Sequence, residues 1–141
     1  MLKAAFPGSF DPPTLGHLNI IQRAASIFDE LLVVVAENRQ KKYLFSADER
    51  VSMITELVKD RQNVSVVICD SLIVDFLQKQ DIKLLVRGVR GVDDFSYEFE
   101  LSMMNKSLDP RIETIFMTTD PESNTREKLL EIAGNLNKRY L

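Results

Sequence analysis

At 141 residues, 45% of them hydrophobic, the chain is long enough for one domain with a substantial core. Its 18 Lys+Arg and 21 Asp+Glu leave a formal net charge of −3, spread evenly over both halves, which disfavours a nonspecific nucleic-acid binder with its basic stripe. A single cysteine, Cys69, excludes an internal disulfide and suits a reducing cytoplasm, and no apolar run approaches the ~20 residues that span a bilayer.

No signal-peptide pattern precedes the first apolar run, residues 2–6, which predicts a strand. The turn that follows, Pro7-Gly8-Ser9-Phe10-Asp11-Pro12-Pro13, leads into a helix over 14–28 with the inward stripe Leu18, Ile21, Ala25, Phe28. A strand, a Gly/Ser/Pro turn and a helix start make an anion seat, because the first N–H groups of a helix are unpaired and its dipole favours negative charge. His17, the only histidine, stands in that first turn. Residues 31–36 predict a second strand, with Lys41 and Lys42 after it. Ser46-Ala47-Asp48-Glu49 is a capping box, opening a helix with Val51, Ile54, Leu57 and Val58 inward. A third strand, Val64–Cys69, precedes a shorter helix over 71–79. A fourth strand over 84–87 runs into Arg87-Gly88-Val89-Arg90-Gly91. Asp93-Asp94 can cap a helix reaching about Leu108, and 114–118 is the fifth strand.

The strands read as continuous apolar runs, as expected of parallel strands covered on both faces. Their alternation with helices predicts an α/β fold, a doubly wound parallel five-stranded sheet with helices on both faces. Ligands in such sheets sit beyond the carboxyl ends of the strands. Ser9, His17, Lys41, Lys42, Arg87 and Arg90 all follow strand ends and should converge on one rim. For Lys42 alone, an ordinary solvated loop lysine is the preferred reading. The Gly-flanked pair Arg87 and Arg90 favours anion binding, and the cluster points to a phosphate-rich ligand.

Thr14-Leu15-Gly16-His17 is close to the T/H-x-G-H signature of nucleotidyltransferases. With Pro7-Gly8-Ser9-Phe10-Asp11-Pro12 before it, the segment resembles phosphopantetheine adenylyltransferases of coenzyme A biosynthesis. The likeness continues through Lys41-Lys42, Phe45-Ser46-Ala47-Asp48-Glu49-Arg50, Arg87-Gly88-Val89-Arg90, Asp94-Phe95-Ser96-Tyr97-Glu98 and Met104-Asn105. It covers about residues 3 to 120 with specific order and spacing.

The resemblance implies a Rossmann-like nucleotidyltransferase fold and a single adenylyltransferase domain over 1–141. It also implies a cytoplasmic, Mg²⁺-dependent enzyme with no nucleic-acid or membrane partner. ATP and 4′-phosphopantetheine would give dephospho-coenzyme A and pyrophosphate by direct attack, without a covalent enzyme intermediate. Such chemistry rests on positioning and charge stabilisation. His17 would donate to the α-phosphate in the transition state, the alternative being a histidine that merely caps its helix. Ser9, with the Phe10 backbone beside it, would donate to phosphate. Lys41, a catalytic group with His17 and Ser9, and Arg87 would hold the acceptor. Gly88, Val89 and Arg90 would meet ATP, and Glu98 would bond the nucleotide. Leu72, Ile73, Leu101 and Asn105 would line the pantetheine arm, with core packing as the alternative for the apolar three.

In the helix from Asp94, Phe95, Phe99 and Met103 form one apolar stripe, and Tyr97, Leu101, Met104 and Leu108 form another. Two apolar faces need two partners. The resemblance implies a homohexamer, and coenzyme A as a possible feedback ligand. After Pro121-Glu122 the pattern departs from the family: an Ile-Ser-Ser-Ser/Thr motif is expected, and Ser123 and Thr125 stand where it would open a helix. The competing readings are a related transferase acting on nicotinamide mononucleotide or another phosphorylated acceptor, and a weakly active nucleotide- or coenzyme-A-binding homologue.

Overall fold

In the computed structural model, which describes residues 1–119, the β-branched runs pair as one all-parallel sheet. The strands are β1 (Lys3–Gly8), β2 (Glu30–Ala36), β3 (Val64–Cys69), β4 (Leu84–Val89) and β5 (Glu113–Thr118), in the order β3-β2-β1-β4-β5. Helices α1 (Leu15–Ile27), α2 (Ala47–Leu57), α3 (Ile73–Gln80) and α4 (Val92–Leu108) join them. The expected doubly wound architecture is therefore present. Residues 120–141 lie outside the described part, and with them Ser123 and Thr125.

Successive residues of the central strands enter opposite cores. Ala4, Phe6, Val33, Val35 and Val86 pack with Ile20, Ile21 and Ala24 of α1 and Ile54 of α2. Ala5, Val34 and Leu85 pack on the other face with Val74 and Leu77 of α3. Both faces being apolar, no in/out alternation shows in the sequence. Full coverage does not extend to the sheet edges, since β3 and β5 are mostly half-buried and Ile68 is 40% exposed. Leu57, expected inward, is 43% exposed, while the buried stripe of α2 runs through Arg50, Ile54 and Val58.

Two strands run further than their sequences suggest. The β4–β5 ladder continues through Arg87↔Phe116, Gly88↔Met117 and Val89↔Thr118, so these residues belong to the strand and not to a loop after it. Gly88 suits that place because an added Cβ would lie 3.3 Å from Ile20 Cγ1. β1 likewise pairs with β2 to Gly8↔Val35, but with β4 only at Ala4↔Leu84 and Ala5↔Leu85. Pro7 fits this asymmetry. Its carbonyl accepts from Arg87 on the β4 side, so the side without an N–H is the one with no ladder to lose. Beyond Ala5 the sheet thus opens between β1 and β4, where the strand order also reverses direction, and a cleft results.

Helix starts differ slightly from expectation. α3 begins at Ile73 and α4 at Val92, with Leu72 and Gly91 as N-caps and no side-chain cap bond at either. Asp93 and Asp94 occupy the first turn of α4 instead, where Asp94 Oδ2 accepts from the Arg90 N–H at 3.0 Å.

Candidate active site

The opening between β1 and β4 forms a cleft of about 300 Å³. The turn after β1 contributes Ser9 and Phe10, α1 contributes Thr14 and His17, β4 and its end contribute Arg87, Gly88 and Arg90, and α4 contributes Asp94 and Glu98. Seven residues singled out in the sequence (Ser9, Phe10, His17, Arg87, Gly88, Arg90 and Glu98) therefore meet here. The others lie outside the lining of this cleft. Val89 is buried in β4, exposed Lys41 sits in the loop after β2, and Leu72 and Ile73 open α3 beyond β3. Leu101 and Asn105 are half-buried on α4.

His17 caps its helix and keeps a donor as well. The Thr14 hydroxyl accepts from the His17 N–H at 3.3 Å, and the Thr14 N–H donates to His17 Nδ1 at 3.0 Å. This is a reciprocal capping box with histidine in the place where Glu or Gln is usual. With Nδ1 accepting, the ring proton resides on Nε2, which leaves a neutral N–H donor on a cleft residue. Phe10 supports the ring from below, edge-on at 4.9 Å between centroids. Its own ring is 1% exposed, and its backbone takes the left-handed conformation with φ 52°. A Cβ on Gly8 would lie 3.0 Å from Phe10 Cζ, so a side chain there would press on this buried ring.

Burial of the ring, with the charges of Arg90 and Arg87 nearby, holds the His17 pKa below the ordinary 6.5. Unfolded chains then take up this proton at higher pH than folded ones. The stability linked to a neutral His17 is complete above pH 6.5 and is lost as pH falls through the folded pKa. As the only histidine, His17 gives a single imidazole Hε1 resonance to follow in a proton NMR titration. The expected midpoint lies below 6.5, and a midpoint above 6.5 contradicts the buried, Nδ1-accepting ring.

Arg87 and Glu98 form a bidentate pair, with Nε–Oε2 and Nη2–Oε1 both 2.7 Å, while Nη1 donates to the Pro7 carbonyl. Glu98 is the one buried residue of α4. Three of the five guanidinium N–H groups are thereby used, and one on each terminal nitrogen remains for a ligand. The carboxylate among the cations is thus an internal partner that fixes the plane of Arg87.

Two residues with no role read from sequence hold the rim together. Asp11 accepts from the Leu44 N–H at 2.7 Å and the Phe45 N–H at 2.8 Å, which ties the turn after β1 to the loop after β2. Arg50 is completely buried beside that junction. Its sequence signal was its place four residues before Ile54, on the inward stripe of α2.

A family model described as cytidylyltransferase-like matches residues 5–126. The phosphopantetheine adenylyltransferase of Dictyoglomus turgidum is 50% identical over 120 residues, covering 85% of this chain and 75% of its own length. That of Clostridium botulinum strain 657 is 49% identical over 120 residues, covering 85% and 73%. Among solved structures, a putative nicotinate-nucleotide adenylyltransferase from Vibrio parahaemolyticus superposes with a TM-score of 0.61 at 20% identity, over 93% of this chain and 82% of that one. A pantoate-β-alanine ligase from Francisella tularensis also gives 0.61, at 13% identity, over 86% and 60%. At such identities the structural likeness concerns the fold.

Proposed function

The chain belongs to the phosphopantetheine adenylyltransferase family and is a nucleotidyltransferase of coenzyme A biosynthesis, and we propose that its cleft carries out the adenylyl transfer with the residues described. ATP and 4′-phosphopantetheine lie in line across the β1–β4 opening, and the acceptor phosphate attacks the α-phosphorus to release pyrophosphate. The observation that carries this reading is the convergence on one cleft of Ser9, a neutral His17 N–H and the two guanidinium groups of Arg87 and Arg90. These are donors and charges for phosphate oxygens, and the transfer needs no enzyme nucleophile.

Within this reading, His17 Nε2 meets the oxygen on which charge builds at the α-phosphorus, and Ser9 with the Phe10 backbone seats the phosphates. Arg90 and the Gly88–Val89 backbone hold the nucleotide. Arg87 holds the acceptor phosphate through its remaining N–H groups, while Glu98 keeps its plane and reaches the nucleotide. Lys41 approaches from the loop after β2, and Leu72, Ile73, Leu101 and Asn105 take the pantetheine arm. Among the described residues no group of three or more His, Cys, Asp or Glu is gathered to hold a metal ion. A Mg²⁺ ion would then arrive bound to the triphosphate, with Arg87 and Arg90 as the cleft's own partners for phosphate oxygens. Such an ion would neutralise phosphate charge during transfer.

Exposure of Phe95 (42%), Tyr97 (61%), Met103 (55%) and Leu108 (51%) on α4 supports assembly into a homohexamer that covers this helix. Coenzyme A contains both the pantetheine and the adenylyl part of the product and fits the same cleft as a feedback ligand. No helix among the described residues is long and apolar enough to cross a membrane. The direct test is pyrophosphate release with ATP and Mg²⁺. Turnover is expected with 4′-phosphopantetheine and not with nicotinamide mononucleotide, and the reverse pattern overturns the reading.

A further inference from the structure

We propose that Arg50 is a positioning residue that locks the loop carrying Lys41 to the turn carrying Ser9, so that these two phosphate-binding groups keep one spacing across the rim. This rests on the function proposed above for Lys41 and Ser9. Arg50 lies in the first turn of α2 and is 0% exposed. Nη1 donates to the Ser9 carbonyl at 2.8 Å and the Ala36 carbonyl at 3.0 Å, joining the turn after β1 to the end of β2. Nη2 donates to Glu37 Oε2 at 2.9 Å, and Nε to the carbonyls of Phe45 at 3.1 Å and Ser46 at 3.3 Å. The Tyr43 ring covers the guanidinium, its centroid 4.0 Å from Cζ. The Tyr43 hydroxyl in turn accepts from the Asn38 N–H at 3.0 Å. Both ends of the loop from Glu37 to Ser46 are thus held by one side chain.

The chemistry favours positioning over a purely structural role. A buried charge is costly to desolvate, and an apolar side chain of similar volume can be as stable in its place. What an apolar group cannot do is bind four carbonyls from three separate segments with one planar group. Lysine also falls short, since its ammonium is a point charge without the fixed fork of donors. The carbonyl of Ser9 is the direct link to the cleft: its orientation fixes the peptide that leads into Phe10 and the anion seat. Asp11 reinforces the same junction from the other side through Leu44 and Phe45.

The test is Arg50→Lys in the full chain, read by amide hydrogen exchange without ligand and by steady-state kinetics. Exchange at residues 37–45 and at the turn after β1 is expected to rise about tenfold or more, the mark of local opening. The value of kcat is expected to fall about 10²-fold, the usual cost of a misplacement near 1 Å, with KM for both substrates within about fivefold. Unchanged exchange overturns the proposal, as does a rise in KM with kcat unchanged. Should Arg50→Lys fail to fold, Tyr43→Leu keeps the guanidinium bonds and removes the aromatic cover together with the hydroxyl that accepts from the Asn38 N–H. A smaller loss of kcat, about tenfold, with faster exchange over the loop is then expected, and wild-type values for both overturn the idea. A wild-type chain that releases no pyrophosphate refutes the proposed function instead, and the exchange data alone then decide the role of Arg50.

Discussion

Replacing His17 by alanine is expected to lower kcat by about 10²–10³-fold while KM for ATP and 4′-phosphopantetheine stays within about threefold, because the lost donor acts on charge that exists only in the transition state. The neutral ring is suited to that task. Its Nδ1 is occupied by the Thr14 N–H, so Nε2–H is fixed as the donor and needs no proton uptake during turnover. Alanine also removes half of the reciprocal cap, at a cost of about 1 kcal/mol to the start of α1. His17→Gln separates the two effects, since glutamine at this position completes a capping box in the ordinary way. If fraying of α1 caused the loss, the glutamine variant would regain most of the rate. With a transition-state donor at stake it stays slow although the helix start is restored. An alanine variant turning over within a few-fold of wild type would end the assignment.

How much of this was legible beforehand depended on whether a feature was local. The anion seat could be read because Gly, Ser and Pro punctuate a strand and a helix start within a dozen residues. The sheet could be read because both faces of its central strands are apolar. The His17 cap was weighed against a catalytic role, although the ring has two nitrogens and the cap occupies only one of them. The opening between β1 and β4 leaves only Pro7 as its trace in the sequence, and the register is what shows that pairing stops at Ala5 and Leu85. The pairing of Arg87 with Glu98 was hidden as well. It joins a strand to a helix, and each residue alone resembled a ligand group. Arg50 was hidden because charged residues are expected outside, and only its spacing to Ile54 placed it inward.

Arg87→Met is expected to reduce both stability and acceptor use, and the companion Glu98→Leu tells the two apart. The side chain of Glu98 is 7% exposed and that of Arg87 26%, so methionine leaves a carboxylate buried without its cation. Removing one member of such a pair costs on the order of 3 kcal/mol, discounted here because Arg87 retains some solvent. Replacing both members by apolar groups of similar size is close to neutral, since the desolvation cost and the attraction vanish together. Denaturant unfolding should therefore show Arg87→Met clearly weakened and the double variant within about 1 kcal/mol of wild type. Activity should not follow stability. If the remaining N–H groups of Arg87 bind the acceptor phosphate, kcat/KM for 4′-phosphopantetheine falls at least about 30-fold in both variants, as expected for losing one partner of a buried charged contact. A double variant that regains stability and activity together would make the pair a piece of scaffolding. One that regains stability alone makes Arg87 a substrate ligand held in plane by Glu98.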